Sequence, residues 1–548
     1  MNQTRAHGTL VARVGAGLLA LAFVAAGCSG GGQPSGNGGG TGGANQVAAA
    51  QDAVIANVTD IVQLDPLDIG DEPSSLVAGQ VMEALVKRDK DGNIVAALAE
   101  KWSASPDGLT WTFDLRKNVK FHDGSDFNAD VVKWQYDRIL TDKAAPTRFR
   151  KQWSDVIKDV KVVDPYTLAI ALKAPNAAFL DLVITTNAGM IASKANFEKL
   201  GAKEAATKPV GTGPYKFKEW VTGQKVVLEA NKEYWGEKPK LNTLTFRPIA
   251  ESNTQVIELE TGGVHFITKL GQEDVNRLKQ NKDVRVETVA AYQVRFLNLN
   301  VSRAPFNDLK VRQAINYALD TKAIVSSLVG DLAVPSESAV VPIASWGAPK
   351  AGEIPTYKAD LSKAKALLAE AGYTAGADGK LAKDGKPFKF SLYSPNGRYF
   401  MDKEICEVVK NQLTQLGIQV DLQVMEWAPY LEKVQKGDFD MAFLGWNQSS
   451  PDPSIFFDPL VKTGGRGNYG KFTDKELDGW LEEAVKVTDQ AKRKDLYLKA
   501  AKRVADNAWY VPLYNQTKVA ASRVTLKGYT HTAAGTDFGS LYLEGKGN

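Results

Sequence analysis

Between residues 388 and 424 the chain runs strand, helix, strand. Phe388-Lys-Phe-Ser-Leu-Tyr393 has the pattern of a strand, Met401 to Leu416 that of an amphipathic helix, and Ile418-Gln-Val-Asp-Leu-Gln-Val424 is a second strand. Strands separated by a helix cannot close as a hairpin, so this β-α-β unit predicts parallel pairing with a right-handed crossover. Phe439 to Leu444 is a further strand of the same region. Asn307 or Asp308 can cap a helix running to about Val329, with Val311, Ile315, Leu319 and Ile324 near helical spacing. Residues 295–510 therefore read as α/β. In open α/β sheets ligands sit beyond the carboxyl ends of strands. That points to two loops, Ser394 to Tyr399 and Gly445 to Pro453.

The preceding region is richer in hairpins. Trp111-Thr-Phe-Asp-Leu115 alternates as a strand between the turn signals Asp107-Gly108 and His122-Asp-Gly124. Asn128 to Ile139 reads as a helix carrying Val131, Val132, Trp134, Tyr136 and Ile139. Val162-Val163 and Thr167 to Leu172 flank Asp164-Pro165 like the arms of a hairpin. Tyr215 to Phe217, Lys225 to Glu229 and Leu244 to Phe246 look like strands.

The N-terminus is different in kind. Arg5 and Arg13 precede an apolar run from Val14 to Gly27, fourteen residues and too short to span a bilayer. A basic start, a short apolar core and small residues before a cut site make a secretory leader, residues 1–27. Its end, Ala25-Ala26-Gly27-Cys28, resembles a bacterial lipobox, where cleavage leaves a lipidated cysteine. Ala25 stands where leucine is commoner. Residues 28–50 then read as lipidated Cys28 and a flexible tether, with nine glycines between Gly30 and Gly43. Cleavage removes two arginines and no acidic residue, lowering an overall charge of +4 by two. So small a charge argues against a nucleic-acid partner. Two cysteines and four histidines are too few for a disulfide scaffold or a Cys/His metal cluster. No metal and no cofactor is expected.

Four ordered stretches of the mature chain resemble one family, the family 5 solute-binding proteins of ABC importers for peptides and nickel. They are Leu98 to Trp102 with Asp107 to Arg116 and Val119 to Gly124; Gly211-Thr-Gly-Pro-Tyr215 with Asn231 to Gly236; Phe296 to Asn300 with Val311 to Leu319; and Gly417-Ile with Gly445-Trp446 and Asp452-Pro453. The resemblance implies an α/β, two-lobed periplasmic-binding-protein fold. Lobe I would comprise residues 51–290 and 516–548, with a subdomain at about 85–205, and lobe II residues 291–515. Crossings near Arg295–Asn298 and Pro512–Gln516 would form the hinge. The expected partners are a small peptide or peptide-like solute and ABC permease subunits. The protein would be a monomer, lipid-anchored on the extracytoplasmic face of the membrane.

The resemblance also places the ligand. Arg398, in a Pro-Asn-Gly turn before a helix, offers an arginine fork beside helix N–H groups, a carboxylate site. Asn396 and Tyr399 flank it. Trp446 and Trp427 are expected as pocket walls, although most tryptophans are core. Asn447, Ser449 and Asp452 complete the second loop. In peptide-binding members an aspartate at the position of Ser449 pairs with the ligand α-amine. Either Asp452 takes that role or the ligand lacks a free amine there, because a buried unpaired ammonium costs several kcal/mol. A nickel chelate, a glutathione-like solute or another carboxylate stays open, as does a sensor using the same clamp. His122, His265 and His531 read as turn or surface residues, and Cys406 as a buried thiol. An enzyme is not expected: neither a Gly-x-Ser-x-Gly elbow nor a His-Glu-x-x-His motif occurs.

Overall fold

In the computed structural model, which describes residues 50–338 and 340–545, the strand–helix–strand unit forms as expected. Lys389–Pro395 and Gln419–Met425 pair in parallel, with the Asp402–Thr414 helix between them in sequence. The helix buries Ile405, Cys406, Val409 and Leu413, a stripe at helical spacing. Met441–Asn447 joins the other edge of Lys389–Pro395 in parallel and pairs antiparallel with Val284–Leu299. The leader, Cys28 and all but the end of the tether lie outside the described residues.

These strands occupy one end of an eleven-stranded sheet. Its order is Gln419–Met425, Lys389–Pro395, Met441–Asn447, Val284–Leu299, Tyr510–Arg523, Phe266–Ile267, Asp52–Asn57, Thr243–Pro248, Lys225–Ala230, Tyr215–Val221, with Ala333–Pro335 beside Tyr510–Arg523. The two middle strands are long, 16 and 14 residues, against a usual five or so. They are antiparallel partners, and their register breaks between Ala290 and Val294 and again between Arg295 and Phe296. Each therefore serves two sheet halves, joined where the pairing is interrupted.

A separate four-stranded antiparallel sheet runs in the order Ala99–Ala104, Thr110–Leu115, Thr167–Leu172, Ile157–Asp164. The Ala129–Leu140 helix is capped by Asn128, whose side chain accepts from Val131 N at 3.1 Å, and buries Val132, Tyr136 and Ile139. One apolar core, from Leu67 to Ile191, unites these elements. Two further cores hold the strand–helix–strand region, one built on Leu392, Val409 and Phe443, the other on Phe296, Tyr430 and Tyr497.

Two stretches of the family-like sequence prove structural. Thr212 Oγ1, Tyr234 Oη and Trp235 Nε1 all donate to the Glu83 carboxylate at 2.7–2.9 Å, tying Gly211–Tyr215 to Asn231–Gly236. Burial raises the Glu83 pKa despite those bonds. Gly211 is required by close approach, since a Cβ there would lie 2.1 Å from Val81 O. The helix expected from Asp308 to Val329 is instead two, Leu309–Ala318 and Thr321–Leu328. Asp320 breaks it: its side chain accepts from Ala323 N and caps a new N-terminus. Among the described residues no helix is long and apolar enough to cross a membrane.

Candidate functional site

The site grows from the ends of two neighbouring parallel strands. After Pro395 the chain turns through Asn396, Gly397 and Arg398, all exposed, to half-buried Tyr399. Asp402, only 2% exposed, holds this turn, its carboxylate accepting from Gly397 N, Tyr399 N and Lys403 N at 2.9–3.0 Å. That corrects one expectation. Those amides are already bonded, so Arg398 offers its guanidinium without them.

Among the described residues Arg398 has no ion-pair partner, and it lies over the Trp427 ring at 4.7 Å. Trp427 opens the Trp427–Lys436 helix and stacks on fully buried Tyr430 at 5.6 Å. Tyr399 meets Trp427 edge-on at 6.0 Å, and its hydroxyl donates to Gly445 O at 3.3 Å. Asn396 Nδ2 donates to Glu426 at 2.9 Å. Together these side chains form a continuous aromatic and cationic surface.

The second segment differs from the loop expected at Gly445. The strand extends to Asn447 because Gly445, Trp446 and Asn447 pair with Arg295, Val294 and Gln293 of the crossing strand. Strand alternation then separates the residues. Gly445 and Asn447 face Tyr399 and Arg295, and exposed Asn447 accepts from Arg295 Nη1 at 2.8 Å. Trp446 faces the other way, donating to Ile455 O at 3.1 Å beneath Arg466 at 4.7 Å. It does not join the Tyr399–Trp427 group.

Ser449 is exposed. Asp452 is not free: it is fully buried, with Arg493 Nη1 and Nη2 at 2.9 and 3.0 Å and the Ser454 hydroxyl at 2.6 Å. Burial opposes the Arg493 charge, but Asp452 outweighs it and raises that pKa. The carboxylate expected to meet a ligand amine is neutralised inside the protein. Close by, Arg88 pairs with Asp181 at 2.5 Å and donates to Ser450 Oγ at 3.2 Å, linking the four-stranded region to this segment.

The histidines are structural. His122 bridges Gly213 O at 2.9 Å and Gly211 N at 3.4 Å, and burial pushes its pKa down to about 4. His265 accepts from Val54 N at 3.1 Å, and His531 bonds Thr536 at 2.9 Å. Among the described residues no His, Cys, Asp and Glu group could hold a metal ion. Cys406 is fully buried, as expected.

Sequence reasoning missed Arg295 and Arg466 as residues of this surface. The signal for Arg295 was present: a lone cation in the mostly apolar run from Val294 to Leu299.

A mixed sheet bridged by two long strands, with side chains gathered at strand ends beside the bridge, defines a two-lobed periplasmic-binding fold. The chain belongs to the bacterial extracellular solute-binding proteins, family 5, whose middle-region model matches residues 93–468. The glutathione-binding protein GsiB of Escherichia coli K12 is 31% identical over 491 residues, covering 88% of this chain and 92% of its own. The unliganded open form of the periplasmic murein tripeptide-binding protein MppA superposes with a TM-score of 0.80 at 25% identity, covering 91% of this chain and 98% of its own. DppA of Helicobacter pylori, in complex with the peptide STSA, gives 0.65 at 28% identity, covering 91% and 99%.

Proposed function

We propose that this protein captures a peptide-like solute outside the cytoplasm, in a cleft between two lobes, and delivers it to the permease of an ABC importer. One observation carries the proposal: Arg398, exposed and without a carboxylate partner among the described residues, lies on Trp427 beside the two crossing strands. A planar cation on an aromatic wall suits a solute carboxylate and its adjoining chain. Asn396, Tyr399, Asn447 and Ser449 would line the same wall, and Trp446 with Arg466 the neighbouring one. Lobe I would comprise residues 51–290 and 516–548, lobe II residues 291–515, and the hinge the register breaks after Ala290. The better match to an open, unliganded relative than to a peptide complex, 0.80 against 0.65, favours an open arrangement of the lobes here. Closure on the solute would then follow from contacts made only in the closed state.

The solute class follows from charge. With Ser449 in place of a carboxylate and Asp452 committed to Arg493, neither of these two positions offers a free acid for a ligand ammonium. A solute bound chiefly through carboxylates, as glutathione could be, fits better than a peptide held by its amine. Cys28 would carry lipid, with the glycine-rich segment as tether. Native mass spectrometry of the purified protein tests the proposal directly, with a co-purified peptide-like acid as the expected result. Turnover of that solute would overturn it.

A further inference from the structure

Sixteen arginines fall within the described residues, and eleven make ion pairs with carboxylates. Of the other five, Arg150 and Arg312 spend their guanidinium groups on backbone carbonyls. The remaining three are Arg295, Arg398 and Arg466, each stacked on an aromatic ring at 4.7 Å. Arg398 and Arg466 are exposed, so water solvates their charge. Arg295 is 5% exposed.

A buried cation without an anion is expensive, and proteins seldom keep one. Arg295 has only neutral partners: Val294 O at 2.9 Å, Asn447 Oδ1 at 2.8 Å and Gln293 Oε1 at 3.2 Å. The Tyr514 hydroxyl, also neutral, lies beside it, and among the described residues its Nε–H has no hydrogen-bond acceptor. Burial lowers its pKa, Tyr514 and Tyr399 oppose that shift, and nearby Arg398 adds to it. The surroundings are shaped around it. Gly445 leaves the space it occupies, since a Cβ there would lie 2.8 Å from Arg295 Cδ and from Tyr399 Cε1. Tyr399 and Trp427 then continue in one row from Arg295 to Arg398.

We propose that Arg295 is a second anion-binding residue of the cleft, so that the solute carries two carboxylates, one on Arg295 at the strand crossing and one on Arg398. This rests on the reading of the cleft as a site for a peptide-like solute. Two guanidiniums joined by aromatic rings suit a short, flexible dicarboxylate whose spacer lies along Tyr399 and Trp427. The missing counter-ion of Arg295 is then the ligand itself, and the unliganded protein bears the cost of waiting for it.

The test is calorimetric titration of the full chain, freed of co-purified solute by unfolding and refolding. The probes are glutathione, with two carboxylates, and tri-alanine, with one. Wild type should bind glutathione at least tenfold more tightly than tri-alanine. Arg295→Gln should lose at least tenfold for glutathione and less than threefold for tri-alanine, and Arg295→Lys should recover part of the loss. Without ligand, Arg295→Gln should melt no lower than wild type, because the variant removes an unpaired buried charge. Equal wild-type affinity for both probes, or an unchanged glutathione affinity in Arg295→Gln, would overturn this inference and leave the binding reading intact. A lowered melting temperature in ligand-free Arg295→Gln would also overturn it, by making Arg295 a structural residue. Wild type that binds neither probe would overturn the binding reading itself.

Discussion

Asp452 and Arg493, 0% and 4% exposed at their side chains, show what burial does to a charged pair. Their mutual attraction offsets the desolvation of both, so removing one partner leaves the other stranded. Asp452→Asn or Arg493→Met should each cost about 3–5 kcal/mol in urea unfolding, and the double variant less than the sum. His122 makes a pH prediction. Burial lowers its pKa from 6.5 to about 4, so the unfolded chain binds the proton more tightly than the folded protein. Its stabilising contribution is full above the unfolded pKa and fades as the pH falls toward about 4, at up to ~1.4 kcal/mol per pH unit. Urea midpoints across that window should fall less steeply in His122→Gln. Cys406 is simpler: burial pushes its thiol up to about 12, so a thiol reagent should label it only on unfolding.

Among the elements, the strand–helix–strand unit was legible because its signals are local. Apolar spacing reports a face, and the Ile405–Leu413 stripe lies on the face it predicted. Where a long-range partner decides, local pattern misleads. Gly445 reads as the start of a loop, yet the crossing strand pairs with it and carries the strand on to Asn447. Asp320 works in the opposite sense, a single polar side chain ending one helix and starting another. Gly445 also carries a prediction. In Gly445→Ala the new methyl would press on Arg295 and Tyr399, which should cost about 1–3 kcal/mol in stability and weaken solute binding. Calorimetry and thermal unfolding of one preparation read both effects.

For the whole molecule the two long strands matter most. They are the shared members of the large sheet, and their register breaks between Ala290 and Val294. The interrupted ladder between them would let one sheet half rotate against the other with few of their mutual bonds broken, as the proposed hinge requires. Small-angle scattering should record a smaller radius of gyration on adding a bound solute. An unchanged radius would mean that the lobes do not close. The bridge from Arg88 to Ser450 tethers the four-stranded region to the second segment of the site. Arg88→Ala, with Asp181 left unpaired, should shift the melting temperature down and alter the compaction.

The sequence by itself determined the α/β class, the parallel unit, most strand and helix positions, the buried thiol and the family. These rest on periodicity, capping and ordered motifs, which act over a few residues at a time. Only the tertiary structure decided the state of each charge. Whether Asp452 meets a ligand or Arg493, 41 residues further on, is invisible to local pattern. So is the pairing of Arg295 with Asn447, 152 residues apart, which leaves the Arg295 guanidinium buried beside a neutral amide. Electrostatic fate depends on which distant groups share a low-dielectric space, and folding alone brings them together.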